Sequence, residues 1–153
     1  MIALRTRILP MFIVVLFFPG SGLLADEAAI SLAADDEGLA WGPCPEFMPE
    51  GCTIAVLHGD PGAANADVFF KVPGGAQIPL HRHTSAERMV LVSGQMDVTY
   101  EGQDTATIRT GDYAYGPPGV PHSASCAPGA PCVLFIAFVD PVDAIPVAVT
   151  DGS

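Results

Sequence analysis

His81 and His83 stand two residues apart in the stretch GAQIPLHRHTSAERMVLVSG, Gly75 to Gly94, which reads as extended chain. On a strand, residues i and i+2 project from the same face, so both imidazoles point the same way. Glu87 follows four residues after His83, past the short polar link Thr84-Ser85-Ala86. Two neutral imidazoles and a carboxylate are three ligands of the kind that a divalent transition metal takes. A fourth must come from elsewhere in the chain, and His122 in PPGVPHS is the candidate. Three histidines and one glutamate suit Mn, Fe, Ni, Cu or Zn without choosing among them. Four protein ligands leave one or two positions open on a five- or six-coordinate ion, where water or a substrate can bind.

Other residue types with chemistry of their own are fewer. Four cysteines, Cys44, Cys52, Cys126 and Cys132, allow three pairings. We expect Cys44–Cys52 and Cys126–Cys132, each closing a short loop rich in Pro and Gly, with free buried thiols as the alternative. Neither spacing is the Cys-x2-Cys of a zinc site. His58 stands alone before Gly-Asp and reads as structural or solvated. Arg82 and Arg88 alternate away from the ligand face. No general base is evident beside the ligands; Tyr113 or Tyr115 would have to serve, so catalytic residues are not assigned. Tyr113, Tyr115, Met96, Phe70 and Phe135 fall on strands and could line a pocket, with core packing the plainer reading for each.

The elements that must position these residues are strands. From Thr53 onward, runs such as TIAVLH, DVFFKV, QIPLHRH, ERMVLVSG, QMDVTY, TATIR, YAYG, PHSASC and VLFIAFVD alternate with turns built from Gly, Pro, Asn and Asp. That spacing is the pattern of an all-β sandwich or small barrel, in a single domain over residues 53–139. Asp26 to Leu39 is small, acidic and alanine-rich, an arm or a frayed helix. Trp41 to Cys52 carries three prolines and two glycines and reads as neither helix nor regular strand. Its aromatics Trp41 and Phe47 suggest an ordered lid on the core, pinned by the first disulfide. Residues 26–52 thus form an arm and a Pro/Cys-rich loop, and residues 140–153 a tail that crosses the surface or adds an edge strand.

At the N-terminus, Ile8 to Phe18 is an apolar run preceded by Arg5 and Arg7 and followed by PGSGLLA. Those are the three regions of a secretory signal peptide, and we expect cleavage after Ala25. Eleven strongly apolar residues fall short of the roughly 17–25 that span a bilayer, although extension to Ala25 leaves an uncleaved anchor as the alternative. Cleavage would take the formal charge from −11 to −13, since it removes two arginines and no acid. So acidic a surface disfavours nucleic acid and anionic membranes. Export to the periplasm or beyond also favours disulfides over free thiols.

Beyond these residue-level readings, two segments resemble the paired signatures of the cupin superfamily. The first, Gly, five residues, His-x-His, three residues, Glu, six residues, Gly, is met by Gly75, His81, His83, Glu87 and Gly94 without deviation. The second, Gly, five residues, Pro-x-Gly, two residues, His, three residues, Asn, is met by Gly111, Pro117, Gly119 and His122, with Cys126 in place of the Asn. The resemblance implies an antiparallel jelly-roll barrel with a metal in its mouth, held by His81, His83, Glu87 and His122. It also implies a homodimer. The segment WGPCPEFMPEGCTIAVLHGDPG looks like that of small secreted cupins, which are loosely similar to the cupin module of zinc-dependent anti-sigma factors. At Cys126 the departure matters: by strand parity it shares a face with His122 and Ala124. Bonded to Cys132 it would staple two strands; free, it would be a soft ligand or redox-active thiol beside the metal.

Three functions follow. The chain is read first as an exported metal-binding cupin acting on a small molecule, as an oxygenase, isomerase or lyase. Second is a binding or sensing module without catalysis, and third a metal-free structural or carbohydrate-binding barrel. The barrel alone does not choose among them.

Overall fold

A computed structural model of the chain describes residues 28–148, and its strands all lie in the unit that begins at Ser31. The expected export segment, residues 1–25, lies outside the described residues. Among the described residues there is no helix, and none long and apolar enough to cross a membrane.

Every strand-like run named above forms a strand. These are β2 (Thr53–His58), β3 (Asp67–Val72), β4 (Gln77–Arg82), β5 (Glu87–Ser93), β6 (Gln95–Tyr100), β7 (Ala106–Arg109), β8 (Tyr113–Gly116), β9 (His122–Cys126) and β10 (Cys132–Phe138). Two short flanking strands join them: β1 (Trp41–Pro43), which pairs with β2, and β11 (Ile145–Pro146), which pairs with β4. The first corrects the reading of Trp41 onward as irregular. Prolines and glycines forbid a long strand there, yet three residues suffice to extend an open edge. The tail adds an edge strand, one of its two expected courses. Residues 31–40 make turns, through Asp36 N–H to Ala33 and Leu39 N–H to Asp36, rather than a helix.

All pairings are antiparallel, in two sheets ordered β1-β2-β3-β10-β5-β8 and β11-β4-β9-β6-β7. This is an all-β jelly roll. The facing sides of the sheets bury Val68, Val72, Met89, Leu91, Leu134, Ile136 and Phe138 from the first and Ile78, Met96, Ile108 and Cys126 from the second. The opposite face of the six-stranded sheet carries one register row, Trp41, Ala55, Phe69, Phe135, Val90, with Lys71 Nζ 3.8 Å over the Trp41 ring. Phe135 belongs to that outer row, packed edge-on to Phe69, and does not line the interior.

Both expected disulfides are present, Cys44–Cys52 and Cys126–Cys132, and none of the four cysteines is free. The second does more than staple neighbours: it joins β9 of one sheet to β10 of the other. Gly94 turns the chain between β5 and β6 against it. At φ 85° a side chain is strained there, and a Cβ would lie 2.9 Å from Cys132 Sγ.

Candidate metal centre

His81 ends up inside the barrel because of an irregularity. Strict alternation from buried Ile78 would turn His81 outward with Gln77 and Pro79. A register shift between Ile78 and His81 in the pairing with β9 resets the phase, so both face inward. The sequence already hints at the cause, since Pro79 cannot donate to a ladder. His81 then stands directly opposite His122 on β9, and His122 opposite Tyr100 on β6. Glu87 opens β5 from the other sheet, opposite Gly116. His83 lies just beyond the end of β4.

All four side chains are buried: His81 4%, His83 7%, Glu87 4% and His122 8% exposed. The ring centroids of His81 and His122 are 4.3 Å apart, and those of His81 and His83 4.9 Å. One nitrogen from each histidine lies within 4.8 Å of the others. Glu87 reaches two of them, Oε1 3.4 Å from His83 Nε2 and Oε2 3.8 Å from His122 Nε2. His58, at the exposed end of β2, takes no part in the cluster.

The Nδ1 atoms are already engaged. His81 Nδ1 donates to the Pro79 carbonyl at 2.8 Å and His122 Nδ1 to that of Val120 at 3.3 Å. His83 Nδ1 donates to the Asp143 carbonyl. With Nδ1 as the donor in each ring, Nε2 carries the free lone pair. Backbone carbonyls behind metal-binding imidazoles are the usual means of fixing their tautomer and orientation.

Burial sets the charges. Loss of solvation pulls His81 and His122 down to about 4, with neighbouring imidazoles lowering both further against opposing backbone hydrogen bonds. His83 is lowered for the same first reason. Burial raises Glu87 to about 8, and the nearby Asp143 carboxylate adds to it. Three neutral imidazoles beside a carboxyl group denied solvent are donors whose charge state a cation would suit. The donor set fits a divalent metal. Two ligands on one ion, each about 2.1 Å away, stand about 3.0–3.4 Å apart, so each side chain would shift by less than about an ångström.

Two participants were not visible in the sequence. Asp143, in the tail, offers its carbonyl to His83, while its carboxylate accepts from Thr84 N–H at 2.9 Å and Thr84 Oγ1 at 2.7 Å. Its 60-residue separation from His83 hides the contact. Tyr100 is the tyrosine at the site; its ring lies 4.8 Å from that of His122. The hydroxyl is buried without a hydrogen-bond partner. Gly116 explains the tight fit: a Cβ there would sit 2.7 Å from Tyr100 Oη and 2.8 Å from Glu87 Oε2. Strand parity, which puts Tyr100 in phase with Met96, was the available signal. Tyr113 and Tyr115, expected as possible bases, only border the cavity. They alternate with inward Ala114 and Gly116 and stay 63% and 52% exposed.

Around the cluster lies a cavity of about 520 Å³ within the barrel. Met96 and Phe70, for which core packing was the plainer expectation, both line it, and Met96 is also part of the buried core. The loop closed by Cys44–Cys52 borders it through Cys44, Pro45 and Met48, and Phe47 packs against the His81 ring with centroids 6.0 Å apart. That loop meets the expectation of a lid through Phe47 alone, since Trp41 packs on the outer face of the six-stranded sheet. Cys126, bonded to Cys132, offers no thiol to the site.

Known proteins agree with this architecture. A family model described as a cupin domain matches residues 68–138. Among solved structures, the chain is similar to one from the crystal structures of the DMSP lyases RdDddP and RnDddQII. The TM-score is 0.63 at 14% identity, covering 72% of this chain and 63% of that one. It thus spans under two thirds of that chain's length. It is also similar to the polyketide cyclase RemF from Streptomyces resistomycificus, at TM-score 0.62 and 20% identity, covering 80% of this chain and 89% of that one. A cupin 2 conserved barrel domain protein from Rhodopseudomonas palustris matches at TM-score 0.57 and 20% identity, over 73% of this chain and 79% of that one. No curated protein matches the chain. With the family model, the matching barrels and both signature segments in place around one histidine cluster, residues 68–138 are a cupin domain.

Proposed function

We propose that this chain is an exported metal-dependent cupin that acts on a small molecule, with His81, His83, Glu87 and His122 as ligands to one divalent transition metal. The observation that carries the reading is the common posture of the three histidines: each holds Nδ1 against a backbone carbonyl and leaves Nε2 for the cluster that Glu87 adjoins. A bound ion would supply Lewis acidity or oxygen activation at its open positions. The chain's own residues orient the ligands, exclude water and offer the cavity in which a substrate sits. Enzymes among the similar barrels, the lyases and the cyclase, support an oxygenase, isomerase or lyase type of reaction at such a site. Two disulfides support an oxidising compartment, hence cleavage after Ala25 and a periplasmic or secreted protein. A homodimer belongs to the same reading.

One observation favours a second reading, a binding or sensing module without turnover. Apart from the four ligands, the polar side chains around the cavity are Tyr100, Gln103, Asp143 and the largely exposed Tyr113 and Tyr115, which turn outward at its border. The Tyr100 hydroxyl is sealed from solvent, and the Asp143 carboxylate is committed to Thr84. A general base other than a ligand is therefore scarce.

Elemental analysis of the exported protein, beside a His81→Ala/His122→Ala variant, tests both. Near-stoichiometric iron or manganese, absent from the variant, supports redox or oxygen chemistry. Tightly held zinc favours the module. Absence of metal from both proteins sinks the metal reading.

A further inference from the structure

The cavity has a chemical bias that narrows its ligand. Its volume of about 520 Å³ lies within the roughly 300–1,000 Å³ of sites that enclose small molecules. Away from the histidines its walls are apolar: Ile54, Phe70, Met89, Met96, Val98 and Ile136 project into it from both sheets. No lysine or arginine lines it. All four cations of the described residues lie elsewhere: Lys71 over the outer Trp41, Arg82 at the end of β4, Arg88 and Arg109 exposed. The only ionisable acids that line it, Glu87 and Asp143, sit at the histidine end.

A ligand's charged group placed against the apolar walls would lose its hydration with no counter-charge in reach. An anion would also meet the Asp143 carboxylate at the histidine end. Negative charge is tolerable at the histidine end alone, where a divalent cation would offset it. We infer that the cavity takes a compact ligand with an uncharged, mainly apolar body, whose oxygen-bearing end meets the histidine cluster, and that it rejects molecules carrying an anionic group on that body. This rests on the metal-site reading only for which end faces the histidines; the preference for a neutral body does not need the metal.

The test uses a matched pair of fluorescent probes, neutral phenylnaphthylamine and its sulfonated analogue anilinonaphthalenesulfonate, titrated into the full exported protein before and after metal removal. Neutral probe should bind at least about tenfold more tightly in both states. Ala124→Phe on β9 and Ala114→Phe on β8 each narrow the cavity from a different sheet, and each folded variant should weaken that binding by about tenfold or more. Should both variants misfold, displacement of the neutral probe by naphthol, with naphthoate at least about tenfold weaker on metal-free protein, supports the proposal. Sulfonate binding as tight as the neutral probe, or unchanged binding in a folded variant, overturns it. Metal content is measured separately on the protein as purified, so a protein that carries no metal before any removal step yet binds the neutral probe defeats the functional reading while leaving this one standing.

Discussion

At the scale of residues, the least expected participant is Asp143. Its carboxylate clasps Thr84 while its carbonyl accepts from His83, so one tail residue fixes the neighbour of a ligand and the ligand itself. Asp143→Ala keeps the carbonyl but loses the clasp. We expect metal affinity to fall by about 10–100-fold, measured by competition with a chelator, while His122 and its Val120 contact are untouched. An unchanged affinity would show that the tail is a bystander. Tyr100 makes the opposite forecast. Its buried hydroxyl has no partner, so Tyr100→Phe should leave stability within about 1 kcal/mol of the parent, or raise it. Gly116→Ala, whose methyl would press on the same oxygen and on Glu87, should cost about 1–3 kcal/mol. Thermal melts of the two variants decide whether that hydroxyl is idle.

The titratable groups give a pH profile for metal-free protein. Folded His81 and His122 have values near 4 against an ordinary 6.5, and His83 is lowered too. Between those limits the unfolded chain binds more protons, so stability rises with pH. Folded Glu87 titrates near 8 against an ordinary 4.5, which works the other way: from 4.5 to 8 the folded chain holds the extra proton and stability falls with pH. Three imidazoles outweigh one carboxylate up to about pH 6.5, and only the carboxylate acts above it. Chelator-treated protein should therefore melt at its highest temperature near pH 6.5, with lower values at pH 5 and at pH 8. A melting temperature that climbs steadily to pH 8 would mean that Glu87 is ionised in the empty site.

At the scale of elements, the sequence was most legible where alternation is plain. Each expected run from TIAVLH to VLFIAFVD became a strand, and the parity that placed His122, Ala124 and Cys126 on one face held in β9. For His81 the expectation of an inward-facing pair held, although the reason differs. A bulge near Pro79 supplies the phase that simple alternation does not, and period-2 reasoning cannot locate a bulge. β1 escaped notice because its pairing with β2 is decided by an edge elsewhere in the chain, and the Asp143 contact because a tail's course is set by the surface it crosses. The disulfides were legible through short loops and export context together. The Cys126–Cys132 link closes a separation of 6 residues, so Cys126→Ala/Cys132→Ala should lose about 2 kcal/mol in denaturant melts. If its role is to hold the two sheets in register, the same variant should also weaken metal binding.

At the scale of the whole molecule, the two-sheet fold brings the proposed ligands of two distant segments around an apolar cavity, His81 and His122 from adjacent strands of the five-stranded sheet and Glu87 from the six-stranded one. Spatial convergence of that kind is what motif spacing alone leaves open, and here the two signature segments do converge, His81 beside His122 in one sheet and Glu87 reaching His83 and His122 from the other. The span of each cross-link in sequence then bears on how the protein matures. Cys126 and Cys132 are 6 residues apart in sequence and can bond as soon as the short loop between them closes, before the rest of the chain has docked. The full donor set, which adds Glu87 of the six-stranded sheet to the histidines of the five-stranded one, assembles only once the two sheets have packed together. One strand, β9, carries a sulfur at its last residue and an imidazole at its first. Oxidation should therefore come early and metallation last, so an oxidised but empty protein is the form that would first meet whatever metal its compartment offers.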